Sequence, residues 1–172
     1  VLLPLNPRLT AEEAAQVLRD SGARLLVDDG EPIAQAAAAL AGGLARGVLR
    51  SGDFESLASL PAGASTGPGP GWKDADGLAL IYTSGTTGQP KGAMLPCSAF
   101  LASARGSAEL LGTGPDERWL ACMPLFHVGG LSILLRACLA GSAVVLQPGF
   151  DPGVVDRALE RDGITGVSLV AT

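Results

Sequence analysis

Lysine is nearly missing from this chain: Lys73 and Lys91 stand against ten arginines among 172 residues. His127 is the sole histidine. With 17 acidic and 12 basic residues the chain is mildly acidic, which argues against a general nucleic-acid surface, since that needs clustered positive charge. Cys97, Cys122 and Cys138 form no C-x-x-C pair and no metal-ligand spacing, so they read as small buried hydrophobes in a reducing compartment. No secretory leader is expected from Val1 to Leu5, which is too short and lacks a charged start. The one stretch long enough to cross a bilayer, Val128 to Leu146, carries Arg136 at its middle and Gly141-Ser142 as an interruption. A central arginine costs about 3 kcal/mol in a bilayer, so a buried helix, a turn and a strand explain that stretch better. What remains is one domain's length, with 47% apolar residues to build a core.

The most informative stretch runs from Leu78 to Gly92. Leu78 to Tyr82 reads as a short buried strand. Thr83, Ser84, Thr86 and Thr87 then bring hydroxyls, Gly85, Gly88 and Gly92 bring glycines, and Pro90 and Lys91 close the run. Such a loop suits a polyphosphate. Glycines let backbone N–H groups converge on an anion because no Cβ obstructs them. Hydroxyls add donors, and the lysine adds a mobile positive charge. Pro90 keeps Gln89 extended at the exit. The spacing is not that of a Walker A loop. An ordinary turn between strands needs only one or two special residues, not an ordered run of this length.

The string Tyr82-Thr-Ser-Gly-Thr-Thr-Gly-Gln-Pro-Lys-Gly92 resembles the signature of the adenylate-forming, AMP-binding superfamily. That superfamily comprises acyl- and aryl-CoA ligases, luciferases and peptide-synthetase adenylation domains. A second string, Met123-Pro-Leu-Phe-His-Val-Gly-Gly-Leu131, resembles its next core motif and comes in the right order. Within the superfamily, Pro124 to Leu134, Phe150-Asp151 and Val167 to Thr172 are most similar to the 2-succinylbenzoate–CoA ligases of menaquinone synthesis. One departure stands out. Where many members show a Ser/Thr-His pair after the loop, this chain has Pro96-Cys97.

The resemblance implies an α/β fold with largely parallel sheets and helices on both faces, as part of a large N-terminal domain. The residue pattern agrees, since strands alternate with helices. Thr10-Ala-Glu-Glu13 is a capping box, and Ala14, Ala15, Val17 and Leu18 give a helix face that Gly22 ends. Ala23 to Val27 reads as a strand, Asp28-Asp29-Gly30 as a turn, and Glu31 to about Leu40 as an alanine-rich helix stopped by Gly42-Gly43. No G-x-G-x-x-G follows that strand, which removes a dinucleotide fold. Residues 46–60 carry no clear pattern, and 61–71 read as an exposed Pro/Gly/Ser/Thr loop with Trp72 as a local anchor. Ala93 to Leu95 is a short strand, Ser98 to Leu111 a helix, Trp119 to Met123 a strand, Gly129 to Leu139 a buried helix, and Ala143 to Leu146 a strand. Asp151 caps a helix with Val154, Val155, Ala158 and Leu159 on one face, and Thr165 to Val170 is a final strand. This organisation reads as a lead-in (1–60), an exposed loop (61–76) and a phosphate-loop subdomain (77–172).

In chemistry, the resemblance implies an ATP-dependent acid–CoA ligase: carboxylate plus ATP gives acyl-AMP and pyrophosphate, and CoA then displaces AMP. It assigns Thr83, Ser84, Gly85, Thr86, Thr87 and Gly88 to a cradle for the β- and γ-phosphates, with Lys91 as its charge. A hydroxyl of the loop can approach the Mg²⁺ that travels with ATP. By itself His127 reads first as a satisfied structural histidine in an apolar stretch. The resemblance places it near the carboxylate as a catalytic, orienting donor. Gly129 and Gly130 would leave room for the acyl group, or pack closely at a helix start. Arg136, Arg157 and Arg161 read as solvated or ion-paired. The expected partners are a small carboxylic acid, ATP and CoA, with no nucleic acid and a cytoplasmic setting; self-association as a homodimer stays open. The Tyr-Gly-x-Thr-Glu and Tyr-x-x-Gly-Asp strings and the distal catalytic lysine of the superfamily do not occur. The chain therefore reads as a segment of a ligase's N-terminal domain, inactive by itself. A fatty-acyl or aryl-CoA ligase, and a non-catalytic nucleotide- or phosphate-binding module, are the alternatives.

Overall fold

The computed structural model describes residues 1–48, 73–83, 90–112 and 114–170. The chain divides into two compact units, one of Val1–Pro4, Asp74–Ile81 and Met94–Thr172, the other of Leu5–Lys73 and Tyr82–Ala93.

The second of these is built on helix α1, Ala11–Asp20. The capping box forms as the sequence predicts: the Thr10 hydroxyl accepts the Glu13 N–H at 3.3 Å, and the Glu13 carboxylate accepts the Thr10 N–H at 2.8 Å. Ala14, Ala15, Val17 and Leu18 are buried along one stripe, and α1 packs on helix α2, Pro32–Ala41. Arg19 donates to the Leu40 carbonyl at 2.8 Å, meeting one of the unpaired carbonyls at the end of α2. Strands β1 (Leu25–Asp28) and β2 (Ala45–Val48) pair in parallel, with Leu25 opposite Ala45. Strand β2 falls where the sequence shows no pattern: four residues without alternation, paired with a segment twenty positions upstream. Asp28, expected in a turn, ends β1 instead. It forms an ion pair with Arg46 at 2.7 Å and accepts the Gly30 N–H at 2.7 Å.

Strand β3 is Gly77–Thr83 and its partner β4 is Lys91–Pro96. Leu2 bridges β3 in parallel: the Leu2 N–H donates to the Leu78 carbonyl, and the Leu80 N–H to that of Leu2, both at 2.8 Å. Helix α3, Cys97–Leu111, follows Pro96 directly. Pro96 offers no side-chain cap, so the first amides look elsewhere. Cys97 and Ser98 donate to the carbonyls of Asp76 and Asp74 at 3.0 and 2.9 Å. That backbone cap explains how a Pro-Cys pair is accommodated at a helix start. Ala79, Ile81, Phe100 and Leu131 form one core, with Leu78, Leu95 and Leu135 against it.

Strands β5 (Arg118–Ala121), β6 (Ala143–Leu146) and β7 (Gly166–Val167) form a parallel sheet in the order β6-β5-β7. Helix α4 (Val128–Ala140) links β5 to β6, and helix α5 (Pro152–Arg161) precedes β7. Gly141 closes α4 at φ 69°, a left-handed turn that suits glycine. The Asp151 carboxylate caps α5 by accepting the Val154 N–H at 2.8 Å. Leu120, Cys122, Val155 and Ala158 form a second core, joined by Val145, Ile164 and Val167.

Four readings change. Only Gly166 and Val167 of the last expected strand pair. Val128 and Leu139 of α4, and Val154 and Leu159 of α5, are exposed rather than core. Cys138 is exposed and Cys97 half-buried; only Cys122 is buried. Arg136 is half-buried and, among the described residues, pairs with no carboxylate. Its guanidinium lies 4.7 Å from the Trp119 ring centroid and donates to the Ser107 hydroxyl at 2.8 Å. Among the described residues no helix is long and apolar enough to cross a membrane. Residues 61–72 of the expected exposed loop lie outside the described residues.

Candidate functional site

Two chain segments carry the predicted chemistry, and each is built by a strand end. The first lies where β3 stops and β4 begins. Burial along β3 alternates at Ala79 and Ile81 and then runs out: Tyr82 is half-buried and Thr83 exposed. Thr83 is thus the last residue of one strand and Lys91 the first of its paired neighbour. Lys91 belongs to β4 rather than to the loop interior. It is exposed, and among the described residues its ammonium has no ion-pair partner. Ser84, Gly85, Thr86, Thr87 and Gly88 lie outside the described residues.

The residue before Thr83 is tied down by a side chain far away in sequence. The Tyr82 hydroxyl donates to the Asp20 carboxylate at 2.5 Å. Burial, then this hydrogen bond and the Asp20 charge, push the Tyr82 phenol up to about 12. Asp20 is the last residue of α1. A carboxylate at that end opposes the helix dipole, and that misfit was the one signal available.

The second segment follows the central strand of the three-stranded sheet. In open parallel sheets, ligands gather beyond the carboxyl ends of the strands. There β5 gives way to Cys122 to Phe126, and His127 takes the N-cap position of α4. The His127 N–H donates to the Pro124 carbonyl at 3.1 Å, and the His127 carbonyl accepts the Leu131 N–H at 3.0 Å. The imidazole is exposed and touches the Phe126 ring, centroids 4.4 Å apart and tilted by 51°. It caps nothing and, among the described residues, makes no hydrogen bond. Among the described residues neither ring nitrogen is engaged, and an imidazole nitrogen can donate to or accept from a ligand.

Gly130 does not leave room for an acyl group. It is buried, and a Cβ there would lie 2.8 Å from the Pro124 carbonyl carbon and 2.9 Å from the Met123 carbonyl oxygen. A Cβ on Gly129 would sit 3.2 Å from the Met123 methyl. The glycine pair lets α4 start directly against the turn that follows β5, which is close packing. Among the described residues no three His, Cys, Asp or Glu side chains gather as a metal site.

The family model for AMP-binding enzymes matches residues 1–172. A 2-succinylbenzoate–CoA ligase of Bacillus cytotoxicus is 48% identical over 97 residues, covering 56% of this chain and 20% of the relative. Among solved structures, the o-succinylbenzoate coenzyme A synthetase MenE of Bacillus subtilis, in complex with ATP and magnesium ion, superposes with a TM-score of 0.78 at 30% identity. That match covers 96% of this chain and 33% of MenE. ATP-bound MatB of Rhodopseudomonas palustris gives a TM-score of 0.78 at 26% identity, covering 94% of this chain and 33% of MatB. The matched stretch spans about a fifth of the length of these curated relatives.

Proposed function

Because the chain belongs to the AMP-binding enzyme family, we propose that it is a segment of an ATP-dependent acid–CoA ligase whose carboxylic acid is 2-succinylbenzoate. The observation that carries the reading is the loop closed by paired strands, with exposed Thr83 at one end and exposed Lys91 at the other. An exposed hydroxyl and an exposed ammonium with no ion-pair partner among the described residues suit an anion, and the residues between them add three more hydroxyls and two glycines.

A carboxylate resists acyl transfer because its leaving group would be oxide. In the first half-reaction the carboxylate oxygen attacks the α-phosphorus of ATP, the α–β P–O bond breaks, and pyrophosphate departs. Charge then grows on the departing β- and γ-phosphates. Lys91, Thr83 and the loop hydroxyls offer donors for that charge, and donors aimed where charge develops stabilise the transition state more than the ground state. Mg²⁺, when bound, would screen the same oxygens. His127, held at its N-cap by two backbone hydrogen bonds, presents an imidazole N–H that orients the substrate carboxylate for attack. In the second half-reaction the CoA thiolate attacks the acyl carbon and AMP leaves. A cytoplasmic setting suits ATP and CoA as substrates.

The 48% identity to a 2-succinylbenzoate–CoA ligase over 97 residues supports that acid over fatty acids and simple aryl acids. The complete gene product that carries these residues should release AMP with CoA and 2-succinylbenzoate faster than with long-chain fatty acids or benzoate. Higher turnover with another acid overturns the substrate, and none with any acid overturns the ligase. The 172-residue chain alone should form no acyl-CoA, and thioester product from it would contradict the account.

A further inference from the structure

Asp20 and Tyr82 are 62 positions apart in sequence, and nothing in the proposed chemistry uses either side chain. Their arrangement is nonetheless costly by itself. Asp20 ends α1, where the helix dipole is negative. Arg19, the residue suited to that end, is turned to the Leu40 carbonyl. What the Asp20 carboxylate gains is the Tyr82 hydroxyl at 2.5 Å, a short charge-assisted hydrogen bond. Tyr82 is the chain's sole tyrosine. It is followed at once by Thr83, the upstream bracket of the loop, and Tyr82–Ala93 belongs to the same compact unit as α1. A bond from the body of that unit to the residue beside Thr83 fixes where β3 ends.

We infer that Asp20 is a positioning residue for Thr83: its carboxylate holds the neighbouring Tyr82 phenol, and so sets the point at which the chain leaves β3. The inference rests on the reading of the loop that Thr83 opens as a phosphate cradle. Asp20 touches no ligand. It acts through Tyr82, and its effect falls on the affinity of the folded chain.

The test is calorimetric titration of the purified chain with pyrophosphate, at a temperature where circular dichroism shows every variant folded. Lys91→Ala serves as the reference. Asp20→Ala and Tyr82→Phe should each weaken pyrophosphate about tenfold, as expected when a binding group is misaimed. The double variant should bind no more weakly than either single one, because the two side chains act as one device. Asp20→Asn, which keeps an acceptor, should recover part of the loss. It also carries the comparison, with Tyr82→Phe, if Asp20→Ala fails to fold. A tie that served stability alone would lower the melting temperature and leave affinity unchanged. That result, with Lys91→Ala still weakening binding, overturns the positioning role and leaves the phosphate cradle standing. Unaltered binding in Lys91→Ala overturns the cradle, and the inference with it.

Discussion

Gly130 lies against the backbone of Pro124, so close that a methyl group on its Cα would come within 2.8 Å of the Pro124 carbonyl carbon. Backbone cannot step aside as a flexible side chain can. Gly130→Ala should therefore destabilise the fold by about 1–3 kcal/mol, the range for overpacking a filled site, seen as a lower midpoint in chemical denaturation. The same Pro124 carbonyl accepts the His127 N–H, so the variant should also disturb the imidazole, and its NMR resonances should shift. Full stability in Gly130→Ala would contradict the packing described.

Gly166 makes a similar contact with a side chain. Register places it opposite Trp119, and a Cβ there would lie 2.8 Å from the indole ring. The ring cannot swing away freely. Its N–H donates to Glu117 at 2.8 Å, and the Arg136 guanidinium stands 4.7 Å from its centroid. Gly166→Ala should cost about 1–3 kcal/mol. Adding Trp119→Leu should lessen the penalty of the alanine, a non-additivity that a double-mutant cycle measures.

These two glycines show where sequence reading stops. Helix starts are written in local chemistry: Thr10 with Glu13, and Asp151 ahead of a helix, both cap as their types predict. The strand at Ala143–Leu146 and the helix ending at Gly112 are legible for the same reason, since periodicity and glycine act within a few residues. Strand β2 is not legible, because Ala45–Val48 becomes a strand only through β1. Of the site, the loop string and His127 stand out as residue types in order. The Asp20–Tyr82 bond joins residues 62 apart, and its one local trace is a carboxylate at the wrong end of a helix. Nor could spacing tell that Gly130 faces backbone rather than an open pocket.

Thiol reactivity should separate Cys138 from Cys122. Cys138 is exposed and Cys122 buried, and burial pushes the Cys122 thiol up, away from the reactive thiolate. Iodoacetamide at neutral pH should label Cys138 in the native chain and Cys122 only after unfolding, read by peptide mass mapping. Native labelling of Cys122 would show that the core of β5 and α5 opens.

Stability should fall in strong alkali through one identifiable group. The folded Tyr82 phenol is raised to about 12 from an ordinary value of 10.0, by burial first and then by Asp20. A raised phenol means that the folded chain holds the proton more tightly than the unfolded chain. The stabilisation is complete below pH 10, declines above it, and is gone once pH passes about 12. Denaturation midpoints at a series of pH values across that window should fall more steeply for the native chain than for Tyr82→Phe. Parallel curves would contradict the Asp20 contact.

The loop bracketed by Thr83 and Lys91 as a holder of polyphosphate is what most of this rests on. Titration of the purified chain with pyrophosphate, comparing Lys91→Ala and Lys91→Arg with the native residue, tests it most directly. Losing a charge-assisted bond worth about 1.5–3 kcal/mol should weaken binding by roughly 10- to 100-fold in Lys91→Ala, while Lys91→Arg keeps most of the affinity. Equal affinity in all three proteins, or no pyrophosphate binding by the native chain, would contradict it.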